Sequence, residues 1–241
     1  MNELKFSYFQ LTFGQEEAYL HPERTYQRLS DCGYDAIEIT PPKGRYGLGV
    51  GMEEYLETHK RLKEDFQLDV SCINECWGEE WDPFSPTYKT LTEPKTADLA
   101  VRETKSSIDF AAELGAPFVT VAVAIHDDVT AENVADYTAV AVDALQRMSE
   151  YAAGKDVRLV FEATNHLEMG KFVNTVLNHK RMIELTGCDN IGIQIEWFHA
   201  NFEELNPYEA VMDADPLLWH MHFRDSNSLT PGYGTVDFKA V

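Results

Sequence analysis

The sequence predicts an α/β fold, a (β/α)8 TIM barrel, on three observations. Short apolar runs rich in Val, Ile and Phe alternate along the chain with longer helical patterns. Glycines stand where those helical patterns end and the next run begins. The runs are too continuously apolar for a sheet with one wet face, so they belong to a parallel sheet covered by helices. An open doubly wound sheet is the rival. It is disfavoured because no GxGxxG lies at the first strand-to-helix turn, and polar residues gather after several strands rather than at one switch point.

In chain order, β-type runs are expected at Leu4–Leu11, Ala36–Ile39, Asp69–Ile73, Phe118–Val123, Arg158–Glu162, Ile191–Ile195 and Leu217–Phe223. Glu23–Cys32 places Tyr26, Leu29 and Cys32 at three-residue spacing and stops at Gly33, a residue suited to the left-handed helix end. Met52–Phe66 repeats the pattern through Tyr55, Leu56, Leu62 and Phe66. Ala97–Leu114 carries Ile108, Ala111, Ala112 and Leu114, and Gly115 closes it just before FVTVAV. Thr130 is placed to cap Ala131–Ala153, and Asn178–Thr186 ends at Gly187 before NIGIQI. Helix, glycine, strand in repetition is the mark of βα units. The expected organisation is one domain over 1–241, with the last βα unit of the barrel missing after Val236–Val241.

Composition narrows the partners. At 241 residues with 44% hydrophobic content, the chain is long enough to bury one large core. Asp and Glu number 41 against 20 Lys and Arg, and the resulting net charge of −21 repels phosphate backbones and anionic lipid. Nucleic acid and membrane are therefore not expected as partners. No apolar run approaches the ~18 residues of a membrane span, and the N-terminus lacks the basic segment of a signal peptide. Cys32, Cys72, Cys76 and Cys188 form no CxxC pair, which points to reduced thiols and a cytoplasmic location.

The chemistry concentrates at the ends of the later strands. Glu162 closes the fifth run, Glu196 follows the sixth in IQIEWFH, and His220 and His222 stand two apart on the seventh, so both face one side of it. Carboxylate, carboxylate and imidazole from neighbouring strands suit a divalent cation such as Mn²⁺, Mg²⁺, Co²⁺ or Zn²⁺. A cation of this kind stabilises the enediolate formed when a base removes the proton beside a carbonyl, and Glu162 is placed to be that base. His126 after the fourth run lines the mouth or is solvated beside two Asp. His166 in EATNHLE is a candidate base or substrate contact. Arg224 binds an anionic substrate group or pairs with Asp225. His21, His59 and His179 read as surface residues. Trp77, Trp81 and Phe84, on the long insertion Asn74–Ala97, are placed to stack on a sugar ring or to meet a second copy in a homo-oligomer.

Four motifs carry a family resemblance over nearly the whole chain. EATNHLE resembles the E-x-x-N-x-x-E segment of the sugar isomerase/epimerase superfamily with the xylose isomerase-like TIM barrel, a group that includes ketose 3-epimerases and inosose isomerases. EWFHAN is similar to its D-x-x-H-x-N segment, HMHFRD to H-x-H-x-K/R-D, and PGYGTVDF to P-G-x-G-x-x-D/W-F. GYDAIEI and AAELGAPFVTV resemble its second- and fourth-strand entries. The resemblance implies that Glu162 is a metal ligand and the acid/base, Glu196 the second ligand and His222 the third, while Glu168 and His199 bind substrate hydroxyls. Two departures stand out. Glu196 replaces the usual Asp and carries its carboxylate ~1.5 Å further. The family's fourth ligand, a Glu on the last strand, finds no match before the sequence ends.

The activity expected is isomerisation or epimerisation of a sugar or polyol-derived ketone. A lyase on the same barrel, eliminating water or an aglycone, is the runner-up, and a non-catalytic barrel is the non-enzymatic alternative. A nuclease like endonuclease IV is disfavoured by the acidity and by the lack of histidines after the early strands.

Overall fold

A computed structural model of the chain describes residues 4–43, 47–75, 91–123 and 128–240. The elements run β1 (Ser7–Phe9), a 3-10 turn (Gln10–Phe13), α1 (Gln15–Leu20), α2 (Pro22–Cys32), β2 (Ala36–Ile39), α3 (Met52–Phe66), β3 (Asp69–Asn74) and α4 (Pro94–Leu114). They continue with β4 (Phe118–Ala122), α5 (Val134–Ala153), β5 (Arg158–Ala163), α6 (His166–Met169), α7 (Val176–Thr186), β6 (Ile191–Glu196), α8 (Trp197–Glu203), α9 (Pro207–Asp213) and β7 (Leu218–His222). The seven strands neighbour one another in sequence order, β1 to β7, the order of a TIM barrel. The pairs β1–β2, β2–β3, β5–β6 and β6–β7 are parallel. Among the described residues no helix is long and apolar enough to cross a membrane, and Cys32 and Cys188 are free thiols.

The chain divides into two compact units. The first comprises Met1–Tyr88, Arg102–Val119 and Tyr151–Val157. Here β1 is shorter than the Leu4–Leu11 run, because the Thr12 hydroxyl bonds back to the Phe9 carbonyl at 2.6 Å and the chain curls into the 3-10 turn, ended by Gly14 at φ +96°. Pro22 opens α2, where a missing N–H costs nothing, and Gly33 at φ +76° closes it. Buried Tyr26 on α2 meets His59 on α3, its hydroxyl 2.9 Å from Nδ1. His59 is therefore not a surface residue. It shares a helical face with buried Tyr55 and Leu62, and burial pushes its imidazole down to about 3.

The second unit comprises Lys89–Val101, Thr120–Glu150 and Arg158–Val241. Every residue of β6 is buried, and Gly192 is required there: a Cβ would run into the Trp219 ring and the Leu217 carbonyl. Ala141, Ala144, Leu145, Met148 and Ala152 form the fully buried face of α5. That helix begins at Val134 rather than Ala131, because Thr130 N donates to Asn133 Oδ1 and the Asn133 amide donates to the Asp128 carbonyl in a preceding turn. α7 likewise begins before Asn178, with Thr175 as its cap. Neither α8 nor α9 is marked by apolar periodicity; each is set by its cap, Glu196 and Asn206.

Candidate active site

Within the second unit, strand register aligns the functional side chains. Glu162 on β5 sits opposite Gln194 on β6, which sits opposite His220 on β7; two residues on, Glu196 is opposite His222. Period two then sends Gln194 and Glu196 to one side of β6, and His220 and His222 to one side of β7. The two histidine rings lie edge to face at 5.2 Å.

One donor atom each from Glu162, Glu196 and His222 fall within 4.8 Å of one another. His222 Nδ1 is 3.7 Å from Glu162 Oε1 and 3.9 Å from Glu196 Oε2. Both separations are too long for a hydrogen bond and leave the three side chains close enough to meet at one ion, to which Nδ1 would turn from the Gln194 amide. The donor set of two oxygens and one nitrogen matches such an ion. Burial pushes the Glu162 carboxyl up, but His222, His199 and Arg224 outweigh it and hold the group below the usual glutamate range.

Surrounding groups fix these side chains. Gln194, buried in an otherwise apolar strand, accepts from the Thr120 hydroxyl at 2.7 Å and turns its amide nitrogen to His222 Nδ1 at 3.1 Å. The Gln within IGIQIE is the mark by which it could have been found. Glu196 Oε1 caps α8 through Phe198 N at 3.1 Å, and its Oε2 accepts from Arg224 Nε at 2.8 Å. Arg224 thus pairs with a candidate ligand and not with Asp225; it also donates to Ser228 at 2.9 Å and lies over the Phe198 ring. Asp225 is buried and held far below the usual range, since the backbone N–H groups of Ser226, Gly232 and Val236 offset the penalty of its burial. Gly234 in PGYGTVDF leaves room for that carboxylate, which a Cβ would strike.

His199 is buried, with Nε2 3.8 Å from Glu168 Oε2 and Nδ1 2.7 Å from the Asn165 amide nitrogen. His166 is held twice by Glu203 Oε1, through its backbone N–H at 2.7 Å and Nδ1 at 2.6 Å. His126, Trp77, Trp81 and Phe84 lie outside the described residues.

His179 corrects a reading. It is fully buried beneath β5, its ring 4.2 Å from Phe161, with Nε2 3.0 Å from the Glu162 carbonyl and Nδ1 2.8 Å from that of Thr175. Burial pushes it down to about 4, so the neutral ring donates to one of the two carbonyls. Its place three residues after Val176 and four before Ile183, both buried, is the periodic mark that assigns it to the inner face.

The sequence-ordered parallel strands and the polar groups at the ends of β5 to β7 define a barrel of one class. The model of the xylose isomerase-like TIM barrel family matches residues 26–241, and the chain belongs to that family. It is 32% identical over 101 residues to a D-psicose 3-epimerase of Enterocloster bolteae, a stretch covering 42% of this chain and 33% of the relative. A 3-dehydro-D-guloside 4-epimerase of Escherichia coli is 30% identical over 99 residues, 41% of this chain and 37% of the relative. The chain thus matches about a third of the length of these curated relatives. Among solved structures, an apo 3-keto-D-glucoside 4-epimerase from E. coli superposes with a TM-score of 0.81 at 19% identity, covering 99% of this chain and 85% of that one.

Proposed function

We propose that the chain acts as a divalent-cation-dependent isomerase or epimerase on a ketose or polyol-derived ketone, with 1–241 working as one domain. The observation that supports this reading is the trio Glu162, Glu196 and His222, whose donor atoms lie within 4.8 Å of one another. The epimerase names of its relatives support the reaction class. Glu162, Glu196 and His222 would hold the cation, Mn²⁺ foremost, which when bound supplies Lewis-acid polarisation of the substrate carbonyl. Glu162, held below the usual glutamate range, takes the proton from the carbon beside that carbonyl. His199 and Glu168 orient a substrate hydroxyl, one donating and the other accepting. Arg224 keeps Glu196 in place as a carboxylate. His166, fixed by Glu203, is a further substrate contact.

The test is turnover of a ketose panel with Mn²⁺ by the full chain and by Glu162→Gln. The variant is expected to lose activity by roughly 10³-fold with its melting temperature kept. A fully active variant sinks the assignment. A product short of a water or an aglycone, in place of one of equal mass, transfers the site to the lyase reading.

A further inference from the structure

We propose that Asn165 is a positioning residue that sets the tautomer of His199, leaving its ring proton on Nε2 where the ring faces Glu168. The inference starts from the valence of one buried amide. Asn165 is 1% exposed and caps α6, its Oδ1 accepting from both Leu167 N and Glu168 N at 3.0 Å. Two backbone N–H groups on one atom identify that atom as the oxygen, so the other terminus is the NH₂. That NH₂ lies 2.7 Å from His199 Nδ1. A donor facing Nδ1 requires a lone pair there, and the ring proton must sit on Nε2. Nε2 is the nitrogen 3.8 Å from Glu168 Oε2, a gap too long for a direct bond and short enough for one hydroxyl to bridge.

Asn165 therefore does two things with three hydrogen bonds. It opens the helix that carries Glu168, and it makes His199 a donor beside Glu168 as acceptor. Such a pair recognises a group that both gives and takes a hydrogen bond, an alcohol, and discriminates against an ether oxygen or a phosphate at the same place. The substrate part of this inference rests on the proposed function; the tautomer does not.

Asn165→Asp separates capping from tautomer control. Asp caps a helix as well as Asn, so α6 and the fold are retained, while the NH₂ facing Nδ1 becomes an acceptor and draws a proton onto Nδ1. The measurement is ¹⁵N NMR of the histidine rings in the full chain loaded with Mg²⁺, with His199→Gln used to assign the resonance. The expected result is Nε2 protonated and Nδ1 bare in the native protein, and Nδ1 protonated in Asn165→Asp. In the same variant kcat/KM for the ketose is expected to fall roughly five- to tenfold, carried by KM. A proton on Nδ1 in the native protein, an unchanged ring in the variant, or an unchanged kcat/KM beside a changed ring each overturns the proposal. Native protein that shows the expected tautomer but turns over no ketose refutes the proposed function and leaves the tautomer assignment standing.

Discussion

Strand-end carboxylates occur in both units, and they differ in how they are grouped. In the first unit each has a direct partner: Asn74 donates to Glu38 Oε1 at 2.9 Å, and the Lys43 ammonium is in contact with Glu75 Oε1. Burial raises the Glu75 carboxyl and Lys43 offsets part of that rise. In the second unit Glu162 and Glu196 share one imidazole at 3.7 and 3.9 Å, distances at which neither is satisfied by it. Carboxylates held this close cost stability through repulsion, a cost that the proposed cation would offset.

The comparison can be broken most forcefully at His222. His222→Ala is expected to weaken Mn²⁺ binding by at least roughly 10³-fold with the melting temperature little changed, as read by calorimetric titration. If the variant binds Mn²⁺ as tightly as the native chain, the second unit has no special claim to the cation. Lys43→Met should do the reverse. It leaves Glu75 buried without its cation and is expected to cost about 3 kcal/mol in urea unfolding, with Mn²⁺ affinity unchanged.

Acid sharpens the contrast further. His59 and His179 have folded pKa values of about 3 and about 4, below the unfolded 6.5. The unfolded chain therefore takes up protons first, so their contribution is intact above pH 6.5 and is lost as pH falls from there toward 4. At about pH 4.5 the loss is up to ~2 to 3 kcal/mol per histidine, and His59→Phe should flatten that part of a melting-temperature profile. Glu162 has the opposite requirement, because its depressed pKa keeps it basic to a pH below that of an ordinary glutamate. The smallest effect is expected from Arg224→Gln, which removes one of the positive charges depressing Glu162. The acid limb of kcat/KM should move upward, and a limb that stays in place would separate Arg224 from Glu162.

Strand positions and the residues closing them were readable in the sequence because a buried parallel strand is an apolar run with an abrupt polar end: LVFEA and IGIQIE show it directly. The burial of His59 and His179 was equally encoded, as helical spacing with Tyr55, Leu62, Val176 and Ile183, but a titratable residue is easily set on the wrong face when polarity is weighed above period. Arg224 was harder. Its neighbour in sequence is Asp225, yet that carboxylate is already consumed by backbone N–H groups of a later turn, and only the fold brings Glu196 within reach. Gln194 and Thr120 meet across 74 positions, a pairing no local pattern specifies.

Asp225 has one more consequence, for the response of the protein to salt. The chain carries a net charge of −21, and surface pairs such as Lys60–Glu113 at 2.8 Å are open to screening by dissolved ions. Asp225 is sealed, and its counter-charge is made of peptide dipoles that no dissolved ion displaces. Brine that quiets the acidic exterior therefore leaves the loop from Ser226 to Val236 folded around its carboxylate, and the outer face of the protein can adapt to its medium without unmooring the segment that follows His222.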